Sequence, residues 1–233
     1  MESYPQLTLF DLNQETLRDL NLQLHNLTDE DAKNSWKITN PKGKHAIACG
    51  LKVPVSVEID GHAGYYCAGM NQLAEVTING NVGVGVAENM MTGLVRVKGN
   101  ASQSAGATGR GGLLVIEGDA SARCGISMKG IDIVVHGSIG HMSAFMGQAG
   151  RLVVNGDAGE ALGDSLYEAH IYVRGKVRSL GADCIEKPMR DGHINDLETL
   201  IEASRLDAKA SDFRRYGSAR KLYNFNIDNA SQY

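Results

Sequence analysis

Glu75-Val76-Thr77-Ile78-Asn79-Gly80-Asn81-Val82 returns as Leu94-Val95-Arg96-Val97-Lys98-Gly99-Asn100-Ala101 and again as Leu113-Leu114-Val115-Ile116-Glu117-Gly118-Asp119-Ala120. Working outward, the glycines that close each run are Gly61, Gly80, Gly99, Gly118, Gly137, Gly156 and Gly175, each 19 residues after the last with no insertion. Four and two positions before them stand Val57 and Ile59, Val76 and Ile78, Val95 and Val97, Leu114 and Ile116, Ile133 and Val135, Leu152 and Val154, Ile171 and Val173. Apolar, mostly β-branched residues two apart share one face of a strand. The residue before each glycine is polar, and the glycine is expected to stop the strand by taking positive φ.

After each glycine comes another polar residue (His62, Asn81, Asn100, Asp119, Ser138, Asp157, Lys176), then a small or branched apolar one. Gly-Asn and Gly-Asp pairs mark turns. Seven positions after each glycine stand only alanine or glycine, Ala68, Ala87, Gly106, Gly125, Ala144, Gly163 and Ala182, which predicts a cramped corner or narrow interior.

A 19-residue period is too short for a propeller blade and lacks the leucine and asparagine signature of leucine-rich repeats. Short strands joined by turns with no room for helices predict an all-β chain, a right-handed parallel β-helix of about seven 19-residue turns. At roughly 4.8 Å per rung, the rod is roughly 30 Å long. Open rod ends need covers. The expected organisation is a helical cap over 1–35, the β-helix over 36–187, and helices with a tail over 188–233. In the first part Leu17, Leu20, Leu24 and Leu27 recur at helical spacing with Asn13 as N-cap, and Trp36 and His45–Val57 form an irregular first rung. In the last, Ile194, Leu197, Leu200 and Ile201 predict a helix over 192–204 capped by Asp191, with a second over 210–216. The aromatic tail with Tyr216, Tyr223 and Phe225 either packs on the rod or binds a partner.

The net charge of -4 gives no reason to expect nucleic acid or an anionic membrane. No apolar run reaches the length of a membrane span, and Met1–Leu12 does not read as a secretion signal, so a cytoplasmic protein is expected. Cys49, Cys67, Cys124 and Cys184 contain no CxxC pair, which argues against a zinc or iron–sulfur site in this chain and for reduced, mostly buried thiols. Gly80–Gly85 and Gly106–Gly112 look like phosphate-binding loops, but Leu113–Ile116 reads as another strand where a dinucleotide site needs a helix. His136 and His141 are read as surface histidines. No catalytic, cofactor-binding or metal-ligating residue is assigned.

One column invites a functional reading. Eleven positions after each glycine stand Gln72, Met91, Arg110, Lys129, Gln148, Tyr167 and Glu186, with Glu88, Asn89, Arg123 and Asp164 on the same arc. Stacked, they form a stripe that is either a solvated polar face or a subunit interface. Met70, Met90, Met128, Met142 and Met146 belong to this arc too, and methionine suits both binding surfaces and cores.

The repeat from Gly61 to Gly175, with Tyr65–Asn71, Gly85–Met91, Gly106–Gly112, Ser121–Gly130, Gly140–Met146 and the tail Arg215–Asn229, resembles the GXGXG domain, the C-terminal β-helix of the glutamate synthase large chain. It is most similar to free-standing versions, the B subunit of N-methylglutamate synthase and GlxC-like chains. The resemblance implies a non-catalytic scaffold in a hetero-oligomer. Its expected partners are a class II glutamine-amidotransferase-like subunit and a glutamate-synthase-domain subunit carrying FMN and an iron–sulfur cluster. The implied reaction is N-methyl-L-glutamate and ammonia from methylamine and L-glutamate. The alternatives are the same structural role in an NADPH- or ferredoxin-dependent glutamate synthase-like complex, and a chain like the C-type chains of formylmethanofuran dehydrogenase, which share the repeat.

Overall fold

A computed structural model describes residues 6–221. Its strands are β1 (Leu7–Asp11), β2 (Ser35–Thr39), β3 (Ser56–Asp60), β4 (Glu75–Ile78), β5 (Leu94–Val97), β6 (Leu113–Ile116), β7 (Lys129–Val135), β8 (Ala149–Val154), β9 (His170–Val173), β10 (Cys184–Lys187) and β11 (Arg214–Ser218). Two α-helices, α1 (Leu17–His25) and α2 (Asp191–Ser204), lie outside the coil. From β1 to β9 neighbouring strands pair parallel in chain order, so the chain is a parallel β-helix. Between β3 and β9 the register steps by 19 residues per rung, as in Val57↔Val76 and Val95↔Leu114. A second ladder of single bridges runs up the apolar column after the turn, from Ala63↔Val82 to Ala158↔Val177. The entry rung is irregular in length: Trp36, in the regular strand β2, pairs with Val57 across 21 residues, two more than the repeat, and the extra two lie in the loop.

Six of the seven repeat glycines do not have positive φ; only Gly61 does, at 131°. They are glycine because the rungs touch there. A Cβ on Gly137 would lie 2.7 Å from the carbonyl oxygen of Gly118 and would run into Asp119 Oδ1. Gly137 N–H donates to that same Gly118 oxygen at 3.0 Å, so the backbones are already at bonding distance. The polar residue after each glycine also does more than turn the chain. Asn81 Oδ1 accepts from Asn100 N–H (2.8 Å), Asn100 Oδ1 from Asp119 (2.8 Å), Asp119 Oδ1 from Ser138 (2.7 Å), Ser138 Oγ from Asp157 (3.0 Å) and Asp157 Oδ1 from Lys176 (2.7 Å). Short acceptors suit this place because they reach an N–H one rung away that would otherwise go unpaired.

The interior is filled by the inward columns of every rung, with Ile59, Ile78, Leu114, Ile133 and the thiols of Cys67 and Cys124 fully buried. At one end α1 closes this core by inserting Leu20 and Leu24. Its N-cap is Thr16, whose hydroxyl oxygen accepts from Asp19 N–H at 3.1 Å, and not Asn13, which forms a turn by donating its N–H to Asp11 Oδ1. Asn21 clips the helix to the rod, donating to Ala46 O and accepting from Ala48 N–H.

The other end is closed by strands. β11 runs antiparallel between β9 and β10, where the sequence predicted a helix over 210–216; only Ala210–Asp212 is helical, a single 3-10 turn. Tyr216 therefore packs on the rod, while Tyr223 and Phe225 lie outside the described residues. Glu186 belongs to β10, which leaves the stack, and so it is not part of the stripe.

Helix α2 starts at Asp191 with Arg190 as N-cap, one residue before the expected cap. It builds a second core on the outer face of the sheet, where Leu197, Leu200, Leu206 and Phe213 cover Val134, Val153 and Tyr172. The outward position of each strand changes accordingly, from Glu58, Thr77 and Arg96 to Val115, Val134, Val153 and Tyr172. His136 is half-buried near Ser204 at the end of this helix instead of being exposed; burial pushes its pKa down. Arg96, buried at the boundary, donates to Ser204 O (3.0 Å) and Ala203 O (3.3 Å) at the C-terminus of α2, and pairs with Glu117 at 3.2 Å. A cation suits the negative end of a helix. Arg96→Met should destabilise the fold by about 2 kcal/mol, because two helix carbonyls lose a charged donor. A chemical denaturation midpoint unchanged from wild type would show that water replaces the guanidinium at no cost.

Candidate functional site

The turn opposite the sheet has an unusual backbone. Residues five, seven and nine places after the repeat glycine take left-handed φ: Tyr66 (59°), Ala68 (53°) and Met70 (55°) on one rung, Arg123 (59°), Gly125 (69°) and Ser127 (52°) on another. Alternate N–H groups consequently point to opposite neighbours. Tyr66 donates to Val84 O and Met70 to Glu88 O on the following rung, while Ala68 donates to Ile47 O on the preceding one. Left-handed φ costs a non-glycine residue roughly 1 kcal/mol or more, and these bonds between rungs offset it. The alanine and glycine column from Ala68 to Gly163 sits at the buried centre of this arc, and only its last member, Ala182, is exposed. A larger side chain there would enter the core; a Cβ on Gly106 would lie 2.6 Å from Ile133 Cδ1.

Stacking brings the predicted stripe together. Gln72 N–H bonds Leu51 O (2.8 Å), Arg110 bonds Met90 O (2.7 Å), Lys129 bonds Gly109 O (2.7 Å), Gln148 bonds Met128 O (2.7 Å) and Tyr167 bonds Gly147 O (2.9 Å), one column from Gln72 to Tyr167. Arg110, Lys129 and Gln148 are exposed, and Arg110 and Lys129 form no ion pair among the described residues. Glu88 and Asn89 lie on the adjoining part of the arc, and Asn89 Oδ1 accepts from Thr108 Oγ1 at 2.6 Å. Arg123 lies in another column of the arc, that of Tyr66 and Met142, five places after the repeat glycine. Asp164 holds the last turn together, since its Oδ2 accepts from Ala182 N–H (3.1 Å) and its Oδ1 from Ser165 Oγ (2.7 Å).

The arc is also more apolar than a polar stripe. Tyr65, Tyr66, Met70, Leu73 and Met91 are each 44% to 53% exposed, on two successive rungs next to Gln72 and Glu88. The methionines divide, since Met90 and Met128 are fully buried while Met70, Met91 and Met146 face out. Clustered exposed apolar side chains mark interaction surfaces, and tyrosine, methionine and arginine are enriched in them. Nothing in the stripe pattern predicts Tyr65 and Leu73, because their columns mix polar and small residues on other rungs and repeat no large apolar side chain beyond Val84.

The two fully buried cysteines are not poised as nucleophiles. Burial raises the thiol pKa of Cys124 to about 12 and pushes that of Cys67 up further, which removes the thiolate a nucleophile needs. No group of three or more His, Cys, Asp or Glu among the described residues could hold a metal. The loop Gly106–Gly112 leads into β6 and not into a helix, so no helix N-terminus faces it. No helix among the described residues is long and apolar enough to cross a membrane.

No protein-family model matches the chain. It is 61% identical over 228 residues to Protein GlxC of Rhizobium meliloti (strain 1021), a match covering 97% of this chain and 100% of that protein. Identity at this level over the whole repeat and both end structures requires the same fold. The chain belongs to the GlxC family.

Proposed function

We propose that this chain is a non-catalytic scaffold subunit of a glutamate-synthase-type complex. The observation that carries this reading is the exposed arc, where tyrosine, methionine and unpaired cations share one surface of a rod whose interior is filled by its own side chains. A packed rod offers no internal chamber for a substrate, so its function lies on its surface. The resemblance to GXGXG β-helices and the identity to Protein GlxC support the same assignment.

The partners in this reading are a class II glutamine-amidotransferase-like subunit and a subunit carrying FMN and an iron–sulfur cluster. The reaction of the assembly is that of N-methylglutamate synthase, exchange of methylamine for the amino group of L-glutamate with release of ammonia. The rod holds the two partners in fixed relation so that the small amine passes between enclosed sites.

Co-expression with the neighbouring genes tests it. The expected result is co-elution with a yellow-brown partner and methylamine-dependent turnover only in the assembly. Arg110→Glu combined with Lys129→Glu should weaken assembly by at least about 100-fold, as loss of a central charged cluster does. A colourless chain that turns over a small molecule alone would refute the scaffold role, and unchanged assembly of the double variant would remove the arc as the interface.

A further inference from the structure

At the C-terminal end of the rod Lys187, Arg190 and Arg215 meet beside Arg220, which Glu168 pairs at 2.7 Å. The antiparallel register of β10 and β11 sets Lys187 directly opposite Arg215. Side chains so placed share a face at roughly 5 Å, and like charges there repel. Arg215 is buried, at 7% exposure, and its guanidinium donates from Nε to Pro188 O at 3.2 Å; it has no carboxylate partner among the described residues. A buried guanidinium without an anion is costly, because the charge has lost its water and gained nothing in return.

Both residues line a cleft of about 370 Å³ with Arg190, Arg220, His170, His193 and Glu168. Glu168 is the only carboxylate there among the described residues, and it is engaged by Arg220 at 2.7 Å. On α2, Asp191 stands in the first turn but does not line the cleft, and Asp196 is bound to Arg151 at 3.2 Å. Arg190 is the N-cap of α2, a 14-residue helix whose first turn presents N–H groups and positive potential at this end. The two histidines meet edge to face at 5.2 Å. Burial, and then the positive charge of Arg215, push the pKa of His170 down, so its imidazole is neutral and free to accept or donate a hydrogen bond.

We propose that this cleft binds a dianionic phosphate group, with Arg215 and Lys187 at its floor and Arg190 and the start of α2 at its mouth. Arginine forks match phosphate oxygens two at a time, and several cations around one centre suit two negative charges better than one. Free phosphate and the end of a small phosphomonoester present the same group.

Titration calorimetry of the full chain at constant ionic strength separates the possibilities, with inorganic phosphate, glycerol 3-phosphate and glutarate as probes. The expected result is saturable binding of one phosphate compound per chain, at least tenfold tighter than glutarate. Arg190→Gln and Lys187→Gln, both at positions outside the cores, should each weaken it at least tenfold without changing the thermal midpoint in phosphate-free buffer. Tighter binding of inorganic phosphate would identify the free ion as the ligand, and tighter binding of glycerol 3-phosphate a phosphorylated metabolite. Glutarate binding as tight as either, no saturable phosphate binding, or variants that bind like wild type would overturn the assignment. Because the isolated chain is titrated, the result is independent of the scaffold reading.

Discussion

Replacing Gly137 by alanine is expected to cost about 3 kcal/mol, the upper range for forcing extra volume into a packed site. The added methyl would meet the carbonyl oxygen of Gly118 at 2.7 Å and its carbon at 2.9 Å, both backbone atoms. Neither can move alone. Gly118 is bonded to Gly99 below, and Asp119 beside it holds Ser138 above, so relief must spread over several rungs. Gly192→Ala supplies the opposite sign. Nothing lies within 4 Å of a Cβ at Gly192, and the residue sits in α2, so alanine should stabilise by about 0.5 kcal/mol through helix propensity. Chemical denaturation of the two variants gives the comparison. Equal stability for Gly137→Ala and wild type would mean that rung spacing adapts and that the glycines are there for another reason.

The second large effect concerns α2. Leu197 is fully buried against the outer face of the sheet in the cluster with Val134, Val153 and Tyr172. Leu197→Asp should cost about 4 kcal/mol or more, since it deletes the contact and buries a carboxylate among apolar groups. The rod's own core does not include Leu197, so the expected outcome is local: α2 detaches while the coil persists. Limited proteolysis should then cut within α2, and the far-ultraviolet signal of the strands should remain. Loss of the strand signal in step with α2 would show that the two cores fold as one unit.

The coil itself was legible because a stack of identical rungs writes one period into the chain, and the inward pairs such as Val76 and Ile78 repeat it without a break. The reason for the glycines was not legible. Positive φ and close approach both select glycine, and only the distance between Gly118 and Gly137 separates them. The helix expected over 210–216 takes in the first three residues of β11, because Arg214–Ser218 has no alternation of its own; its partners Tyr172 and Lys187 come from distant turns. The second core could have been found. The outward column turns from Arg96 to Val115, Val134 and Val153, and an apolar outward column must be covered. On the candidate interface, the stripe from Gln72 to Gln148 follows from the period, whereas Tyr65, Leu73 and the role of Asp164 belong to single rungs and carry no periodic signal.

The chain of side-chain bonds from Asn81 to Lys176 has a consequence for how such a molecule can change over generations. Each link gives its oxygen to the next rung and, from Asn100 to Asp157, takes one for its own N–H, so losing a single residue between two links puts the donor after it out of step with the acceptor before it. Losing 19 residues together leaves the pairing intact. Length along the axis is thus inherited in whole increments of roughly 4.8 Å. Anything gripping two points on such a measuring stick sees a separation that sequence drift cannot blur, only jump.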